Sequence, residues 1–139
     1  MMEKDIGVIY WDASAILSVI FKDKHSDLAR NGAESEAIHF ISSLAYAEVC
    51  AVISRMQREK VLADLLIEAG FDVLDRGPWR PITISPSWQI TKALSVKWSL
   101  RGADLWHLAA AKSLQKEFPE VALITFDSKL EKAARGESL

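Results

Sequence analysis

The chain has 139 residues, of which 50% are hydrophobic and 26% are charged, and its formal net charge is −2. This length and composition fit a single globular domain over residues 1–139 and exclude an intrinsically disordered chain. The net charge excludes the strong basic bias of a general nucleic-acid binder, although it is compatible with a local basic patch.

The cysteine count and the apolar segments indicate the compartment. Cys50 is the only cysteine, so the chain has no disulfide framework and no cysteine-rich zinc site, and a reducing, cytoplasmic setting is expected. Residues 1–6 lack the charged-then-apolar order of a signal peptide. The apolar stretch at residues 13–21 is far too short to span a membrane, so no membrane association is expected.

In chain order, the hydrophobic pattern predicts strands that alternate with helices. Strands are predicted at residues 6–11, 37–41, 81–84 and 121–126. Helices are predicted at residues 13–21, 26–36, 43–60, 61–74, 86–98, 103–117 and 128–135. Ser42-Ser43 and Ser85-Pro86 supply helix start signals, Gly77-Pro78 marks a turn, and Gly70 is a weak point in the fourth helix.

This alternation predicts an α/β protein with three α/β/α layers around a short, mainly parallel central sheet. Ligands of such sheets bind outside the carboxyl ends of the strands. Asp12 follows the first predicted strand, and Asp127 follows the last one. Two strands therefore bring a carboxylate to the same edge of the sheet, where the chemistry is expected.

Four carboxylates lie inside or at the end of apolar segments, where acidic side chains are costly unless they are paired or bind metal. They are Asp12, Glu48, Asp104 and Asp127. Their spread along the chain suggests that the fold gathers them into one acidic pocket that holds divalent metal, as a hydrolase requires. Carboxylate oxygens are ligands that Mg²⁺ and Mn²⁺ prefer.

Three of the acids also have a purely structural interpretation. Asp12, Asp104 and Asp127 could each cap the helix that follows it, because Asp is a favoured N-cap residue. Next to Asp127, however, Ser128 and Glu131 have the spacing of a capping box. That capping box would free Asp127 from capping.

Glu48 and His107 are open to two interpretations as well. Glu48 lies too deep in its helix to cap it, so its structural alternatives are an exposed boundary position or an ion pair with Arg55. His107 is one helical turn from Asp104 and could hold that carboxylate in place. The alternative for His107 is an ordinary half-buried histidine.

Hydroxyl and indole side chains accompany the acids. Ser14 and Thr125 could bind water or phosphate at a metal, or could form local caps. Trp11 and Trp106 each neighbour an acid, and an indole can stack on a nucleobase, although core packing is the more common role of such a tryptophan.

Several catalytic motifs are absent from the sequence. The chain has no H-E-x-x-H, no P-loop, no G-x-G-x-x-G and no G-x-S-x-G. Zinc proteases, nucleoside triphosphatases, dinucleotide enzymes and serine hydrolases therefore lose support.

Four segments occur in an order that is characteristic of one family. They are Trp11-Asp12-Ala13-Ser14-Ala15, Ser43-Leu44-Ala45-Tyr46-Ala47-Glu48-Val49, Leu100-Arg101-Gly102-Ala103-Asp104-Leu105-Trp106-His107-Leu108-Ala109 and Leu123-Ile124-Thr125-Phe126-Asp127. From about residue 6 to residue 135, the chain resembles the PIN domain family, especially its compact bacterial and archaeal ribonuclease toxins (VapC-like).

The resemblance implies cleavage of RNA that depends on magnesium or manganese. It also implies that the four metal-site acids are Asp12, Glu48, Asp104 and Asp127, with Ser14 and Thr125 as the accompanying hydroxyls. The toxin branch implies a cognate antitoxin that blocks the site, and usually a homodimer. Many relatives continue into a further edge strand where this chain has Gly136-Glu137-Ser138-Leu139, so a sheet edge without that strand is expected.

The predicted function is therefore a divalent-metal-dependent endoribonuclease, the toxin of a toxin–antitoxin pair. Asp12 and Asp127 are expected to be the most direct ligands, and Asp104 and Glu48 to complete the shell or hold water. Three alternatives stay open: a PIN-like module that binds RNA or protein, an RNA-processing nuclease without an antitoxin, and a metal-dependent phosphatase. The phosphatase would use Asp12 as a nucleophile and generally wants a second Asp where this chain has Ser14.

Overall fold

The computed structural model describes residues 7–139, and its strands form one parallel sheet. The strands are β1 (Gly7–Trp11), β2 (Ala37–Ser42), β3 (Trp79–Ile82) and β4 (Ala122–Ile124). Their spatial order is β3-β2-β1-β4, and every pairing is parallel. The predicted α/β class is confirmed. Predictions for residues 1–6, including a strand start at residue 6 and the lack of a signal peptide, lie outside the described residues.

Six helices connect these strands in the described part of the chain, and a seventh follows β4. They are α1 (Ala13–Ile20), α2 (Ser26–Glu34), α3 (Ser43–Arg58), α4 (Asp64–Arg76), α5 (Trp88–Lys97), α6 (Gly102–Leu114) and α7 (Ser128–Gly136). Each predicted helix has a counterpart whose ends shift by one turn or less. None of these helices combines the length and the apolar character needed to cross a membrane.

Each face of the sheet has its own apolar core. Successive residues of a strand point to opposite faces, so Val8 and Tyr10 of β1 pack in one core while Ile9 and Trp11 pack in the other. The first core is covered by α5, α6 and α7, and the second by α1, α3 and α4. The predicted three-layer arrangement follows from this division.

The predicted position of the third strand was wrong by two residues. β3 begins at Trp79 rather than at Pro81. The indole of Trp79 is buried and packs edge-on against Trp11, with 5.7 Å between the ring centroids. The chain turns at Gly77-Pro78 as predicted, and burial of a large aromatic side chain directly after this turn explains the earlier start of the strand. Pro81 is tolerated inside β3 because β3 is an edge strand.

The predicted start of α5 was also wrong. The N-cap is Ser87 rather than Ser85, and its Oγ accepts a hydrogen bond from Ile90 N at 3.3 Å. The backbone N–H of Ser87 donates to Ser113 Oγ at 3.2 Å, which ties this cap to α6. A tertiary contact that the sequence does not display therefore fixes the start of the helix.

Helix α4 continues through Gly70, which was predicted as a weak point. A Cβ atom at Gly70 would lie 3.0 Å from Phe21 Cζ and 3.3 Å from Ile20 Cγ2. The missing side chain lets α4 approach the end of α1 closely. Gly70 is therefore a packing residue and not a helix terminator.

The end of α7 is fixed by a buried carboxylate, that of Glu137. Its Oε2 accepts from Trp98 Nε1 at 3.0 Å and pairs with Lys97 Nζ at 2.8 Å, while Oε1 lies 3.5 Å from Lys112 Nζ. Burial opposes ionisation of Glu137, but the bonds from Lys97 and Trp98 and the charges of both lysines outweigh it and lower its pKa. This Glu137 cluster joins the chain end to α5 and α6.

Candidate active site

Asp12 and Thr125 stand side by side at the carboxyl edge of the sheet. β1 and β4 pair in parallel with Trp11 opposite Ile124, and the backbone N–H of Asp12 donates to the Ile124 carbonyl at 3.2 Å. Asp12, which follows β1, and Thr125, which follows β4, are therefore neighbours. On the far side of β1, β2 ends at Ser42 on the same edge.

The carboxylate of Asp12 is 4% exposed and is held by surrounding donors. Oδ1 accepts from Ala15 N at 2.9 Å, which caps α1, and from the Ser14 hydroxyl at 2.8 Å. Oδ2 accepts from the Thr125 hydroxyl at 2.6 Å. The capping interpretation of Asp12 is therefore correct, but it does not use up the carboxylate, because an oxygen with two lone pairs and one donor keeps a lone pair free.

Asp127 is also an N-cap, for α7. Its Oδ1 accepts from Leu130 N at 2.9 Å, and its backbone N–H donates to Thr125 Oγ1 at 3.1 Å. The predicted capping box of Ser128 and Glu131 is wrong, because Asp127 makes the cap and the Glu131 carboxylate pairs with Arg135 at 2.6 Å instead. Asp127 itself is exposed, so its second oxygen faces solvent.

Glu48 is positioned by a buried chain of hydrogen bonds. Its Oε1 lies 2.6 Å from His107 Nε2, and His107 Nδ1 lies 2.6 Å from the Tyr10 hydroxyl. Tyr10 in turn donates to Ser42 Oγ at 3.0 Å. Because a carboxylate only accepts, Nε2 of His107 carries the proton of its bond to Glu48. The Glu48 side chain is 33% exposed, so one end of this chain reaches solvent.

Two of the pairings considered for Glu48 and His107 are not formed. The partner of Glu48 is His107 rather than Arg55, and His107 bonds to Glu48 rather than to Asp104. His107 is also 1% exposed rather than half-buried. The sequence could not show this pairing because it joins residues of two different helices that are 59 positions apart in the chain.

Asp104 opens onto a groove between α6 and α7. It lies in the first turn of α6 but does not cap it, since the N-cap is Arg101, which makes no side-chain capping bond. The groove has a volume of about 460 Å³ and is lined by Asp104 and Asp127 together with Arg101, Lys129 and two further residues of the loop before α6. This acid groove places two carboxylates beside two cations.

Two acids at this edge, Asp12 and Asp104, have raised pKa values. Burial raises the pKa of Asp12, against hydrogen bonds from Thr125, Ala15 and Ser14 that favour its ionised form. The pKa of Asp104 is raised by burial, then by the negative charges of Asp127 and Asp12, with a smaller effect of Glu48; His107 offsets only part of this. The structure therefore brings the other three acids within electrostatic reach of Asp104.

The donor set fits a hard divalent cation. Within residues 7–139, three acids keep oxygens that accept no hydrogen bond: Glu48 Oε2, both oxygens of Asp104, and Asp127 Oδ2. Such oxygens suit Mg²⁺ or Mn²⁺. The same residues contain no group of three or more His, Cys, Asp or Glu side chains already arranged as metal ligands. A divalent ion held by so few side chains would keep several waters in its shell, as Mg²⁺ commonly does.

Sequence analysis missed four residues of this region. Tyr10 and Ser42 belong to the chain that holds Glu48, and Arg101 and Lys129 line the acid groove. Tyr10 could have been found, because it lies two positions before Asp12 in a strand. Of the two tryptophans singled out, Trp11 is fully buried in a core, as core packing predicts.

Comparison with known proteins gives a family and a structural relative. The family model described as the PIN domain matches residues 9–136. Among solved structures, one chain of "Crystal structure of VapBC2 from Rickettsia felis bound to a DNA fragment from their promoter" is similar with a TM-score of 0.66 and 16% sequence identity. The match covers 91% of this chain and 92% of that chain, and at this identity it concerns the fold. No curated protein matches the chain.

Proposed function

The chain belongs to the PIN domain family, and we propose that it is an endoribonuclease that hydrolyses RNA phosphodiester bonds with Mg²⁺ or Mn²⁺. Members of this family are generally nucleases. The observation that carries the proposal is the crowding of Asp12, Asp104 and Asp127 at one edge, with raised pKa values for Asp12 and Asp104 and with unpaired oxygens on Asp104 and Asp127.

In this proposal Asp12 and Asp127 are the most direct metal ligands, because they follow two neighbouring strands. Asp104 and Glu48 complete the site or hold water around it. When bound, a divalent ion supplies a Lewis acid for a phosphoryl oxygen and makes a water molecule more acidic.

The buried partners of these acids act as positioning residues. Thr125 and Ser14 fix the two oxygens of Asp12, and His107 fixes Glu48. Hydrogen bonds of this kind orient ligands and limit their motion. The chain from Ser42 through Tyr10 to His107 adds rigidity, because each of its members is buried.

Arg101 and Lys129 are proposed to bind the RNA backbone. Within the described residues, neither side chain has an ion pair or a hydrogen bond, although both line the acid groove beside Asp104 and Asp127. Cations that contact phosphates position a nucleic acid without reading its sequence. These two can therefore hold the substrate next to the acids in spite of the chain's net charge of −2.

We further propose that the enzyme is a cytoplasmic toxin with a cognate antitoxin, and that it forms a homodimer. The support is the similarity of fold to a chain of the VapBC2 structure. An antitoxin would inhibit the enzyme by placing an arginine or lysine among the acids, in a charge-assisted pairing that excludes metal.

Incubation of the purified protein with a total RNA pool, with and without Mg²⁺ or Mn²⁺, tests the enzymatic proposal. Cleavage that requires either ion, with cut sites that can be mapped by sequencing, is the expected result. Cleavage that persists unchanged in EDTA would contradict metal dependence, and RNA left intact with both ions would contradict the nuclease assignment.

A further inference from the structure

A second groove lies between the start of α5 and the first turns of α6. It has a volume of about 550 Å³, within the usual range of small-ligand sites. Two indoles line it, those of Trp88 and Trp106, together with Lys92 and the hydroxyl-bearing residues Thr91 and Ser95. We call it the Trp88 groove.

Trp88 is 89% exposed, which packing of the domain does not explain. It is the first residue of α5, and its backbone is fixed on both sides by local bonds. Ser87 Oγ accepts from Ile90 N at 3.3 Å, and Thr91 Oγ1 donates to the Ser87 carbonyl at 2.8 Å. A large aromatic face is thus displayed to solvent from a rigid helix start.

The polar groups of the groove suit a nucleotide. Lys92 lies one turn after Trp88, and within the described residues its side chain has no ion pair or hydrogen bond. The hydroxyls of Thr91 and Ser95 donate to backbone carbonyls, so their oxygens are still able to accept hydrogen bonds from a base. The groove therefore offers aromatic faces, one uncommitted cation and acceptors.

The Trp88 groove and the acid groove lie on either side of the first turns of α6. The Trp106 ring lies edge-on to His107, with 5.6 Å between the centroids, and His107 bonds to Glu48 at 2.6 Å. Asp104 and Trp106 are two positions apart, so at about 100° per residue they project to opposite sides of the helix. One turn of α6 thus borders the acid groove on one side and the Trp88 groove on the other.

We propose that the Trp88 groove binds a base of the single-stranded RNA that flanks the scissile phosphate. The base stacks on Trp88 and Trp106, and Lys92 contacts a neighbouring phosphate. This inference rests on the proposed nuclease function. Since every base has a π-face, stacking of this kind adds affinity for unpaired RNA without demanding one sequence.

Binding of a short fluorescently labelled single-stranded RNA, measured by anisotropy in EDTA, tests the inference without cleavage. Trp88→Ala is expected to weaken binding about 5- to 150-fold, the range expected for loss of one stacked base. Trp88→Phe should retain most of the affinity. Lys92→Gln should reduce the slope of log affinity against log salt concentration by about 1, the amount expected for loss of one phosphate contact.

The matched control is Val96→Ala. Val96 is 85% exposed on α5 but does not line the groove, so this variant should bind RNA as the wild type does. An abasic RNA of the same length should bind the wild type weakly, and it should bind Trp88→Ala with the same affinity. Equal RNA affinity of Trp88→Ala and Val96→Ala would overturn the inference, as would a wild type that does not bind RNA.

A second copy of the chain is the competing occupant of this face. If Trp88→Ala and Val96→Ala both turn a dimer into a monomer while RNA affinity stays the same, the face is a subunit contact and the inference fails. Cleavage assays separate this failure from failure of the nuclease proposal. If RNA binding depends on Trp88 but no cleavage occurs with Mg²⁺ or Mn²⁺, the nuclease proposal fails and the assignment of the groove stands. If cleavage depends on metal but Trp88→Ala leaves KM unchanged, the nuclease proposal stands and the assignment of the groove fails.

Discussion

The Thr125 hydroxyl donates a 2.6 Å hydrogen bond to Asp12 Oδ2 across 113 positions of sequence. Both residues are almost fully buried, at 5% and 4% exposure. The bond joins the ends of β1 and β4, and within residues 7–139 it is the one hydrogen bond that Oδ2 accepts. The orientation of Asp12 therefore depends on a residue near the opposite end of the chain.

Replacement of Thr125 by Val should both destabilise the fold and weaken metal binding. A buried carboxylate loses a donor, which costs about 1.5–3 kcal/mol of unfolding free energy, and loss of an orienting partner lowers metal affinity about 10- to 100-fold. Urea unfolding and Mn²⁺ titration measure the two effects. Thr125→Ser keeps the hydroxyl and is the control; if the Val variant matched it in both measurements, the bond would have no such role.

Asp12→Asn and Asp127→Asn should each abolish RNA cleavage while the protein stays folded. Each change keeps the shape of the side chain and removes a charge. The cleavage rate should fall by more than about 100-fold, because loss of a residue that only orients a metal ligand already lowers activity by up to about 100-fold. Cleavage assays alongside circular dichroism separate activity from folding. Asp72→Asn, an exposed acid paired with Arg76, is the matched control. Wild-type rates in both site variants would end the metal-nuclease proposal.

Removal of divalent metal should destabilise the wild type, because the four acids then repel one another. Restoring Mn²⁺ at a hundredfold excess over its dissociation constant should add about 2.7 kcal/mol. In EDTA, Asp104→Asn should melt about 2 °C higher than the wild type, which corresponds to a modest increase in stability for a domain of this size. The variant should also lose most of the stabilisation by Mn²⁺. Thermal melting measures both effects, and a wild-type melting temperature that ignores Mn²⁺ would argue against the site.

Burial of Asp12, together with burial of Asp104 and its repulsion by neighbouring acids, predicts a pH dependence for the metal-free protein. The pKa values of Asp12 and Asp104 are raised, so the folded state binds protons more readily than the unfolded state does. The penalty for ionising these acids is full above their folded pKa values, fades as the pH falls through them, and is gone below the ordinary value of 3.8. In EDTA, the advantage of Asp104→Asn over the wild type should therefore shrink on mild acidification. An advantage that stays constant would exclude the raised pKa as its cause.

The Glu137 cluster should show the opposite pH dependence. Its pKa is lowered from the ordinary value of 4.5, so its stabilisation is full above that pH and is lost as the pH falls through the folded pKa. Glu137→Gln should cost roughly 1–3 kcal/mol at neutral pH, as for a buried charged hydrogen bond. Urea unfolding from neutral pH downward should bring wild type and variant together in acid. Glu131→Gln, in an exposed pair with Arg135, is the control that should change little.

Expression of the protein without a partner should slow growth and degrade RNA in the cell. Asp127→Asn expressed at the same level should do neither, because the toxicity requires cleavage. Growth curves and total RNA gels measure the outcome. If the wild type is folded and active in purified form but leaves growth and RNA intact in the cell, the toxin proposal fails while a slower RNA-processing nuclease survives.

The order of elements could be predicted from the sequence because each strand and helix carries its own periodic pattern. Boundaries failed where tertiary contacts decided, as with Trp79, whose burial against Trp11 draws β3 two residues earlier. Asp12 and Asp127 could be assigned to one sheet edge because parallel strands end together. The link between His107 and Glu48 could not, since it depends on how α3 and α6 are placed across the sheet.

The double use of Asp12 has a consequence for descendants of this chain. A relative that had lost its chemistry would still need an acceptor for Ala15 N, Ser14 and Thr125, so selection for folding alone would retain Asp12. Asp104 is different, since within residues 7–139 it caps no helix and accepts no hydrogen bond. Its raised pKa means that its ionised carboxylate destabilises the folded state. Among homologues, the presence of Asp104 would therefore be the better indicator of an active protein.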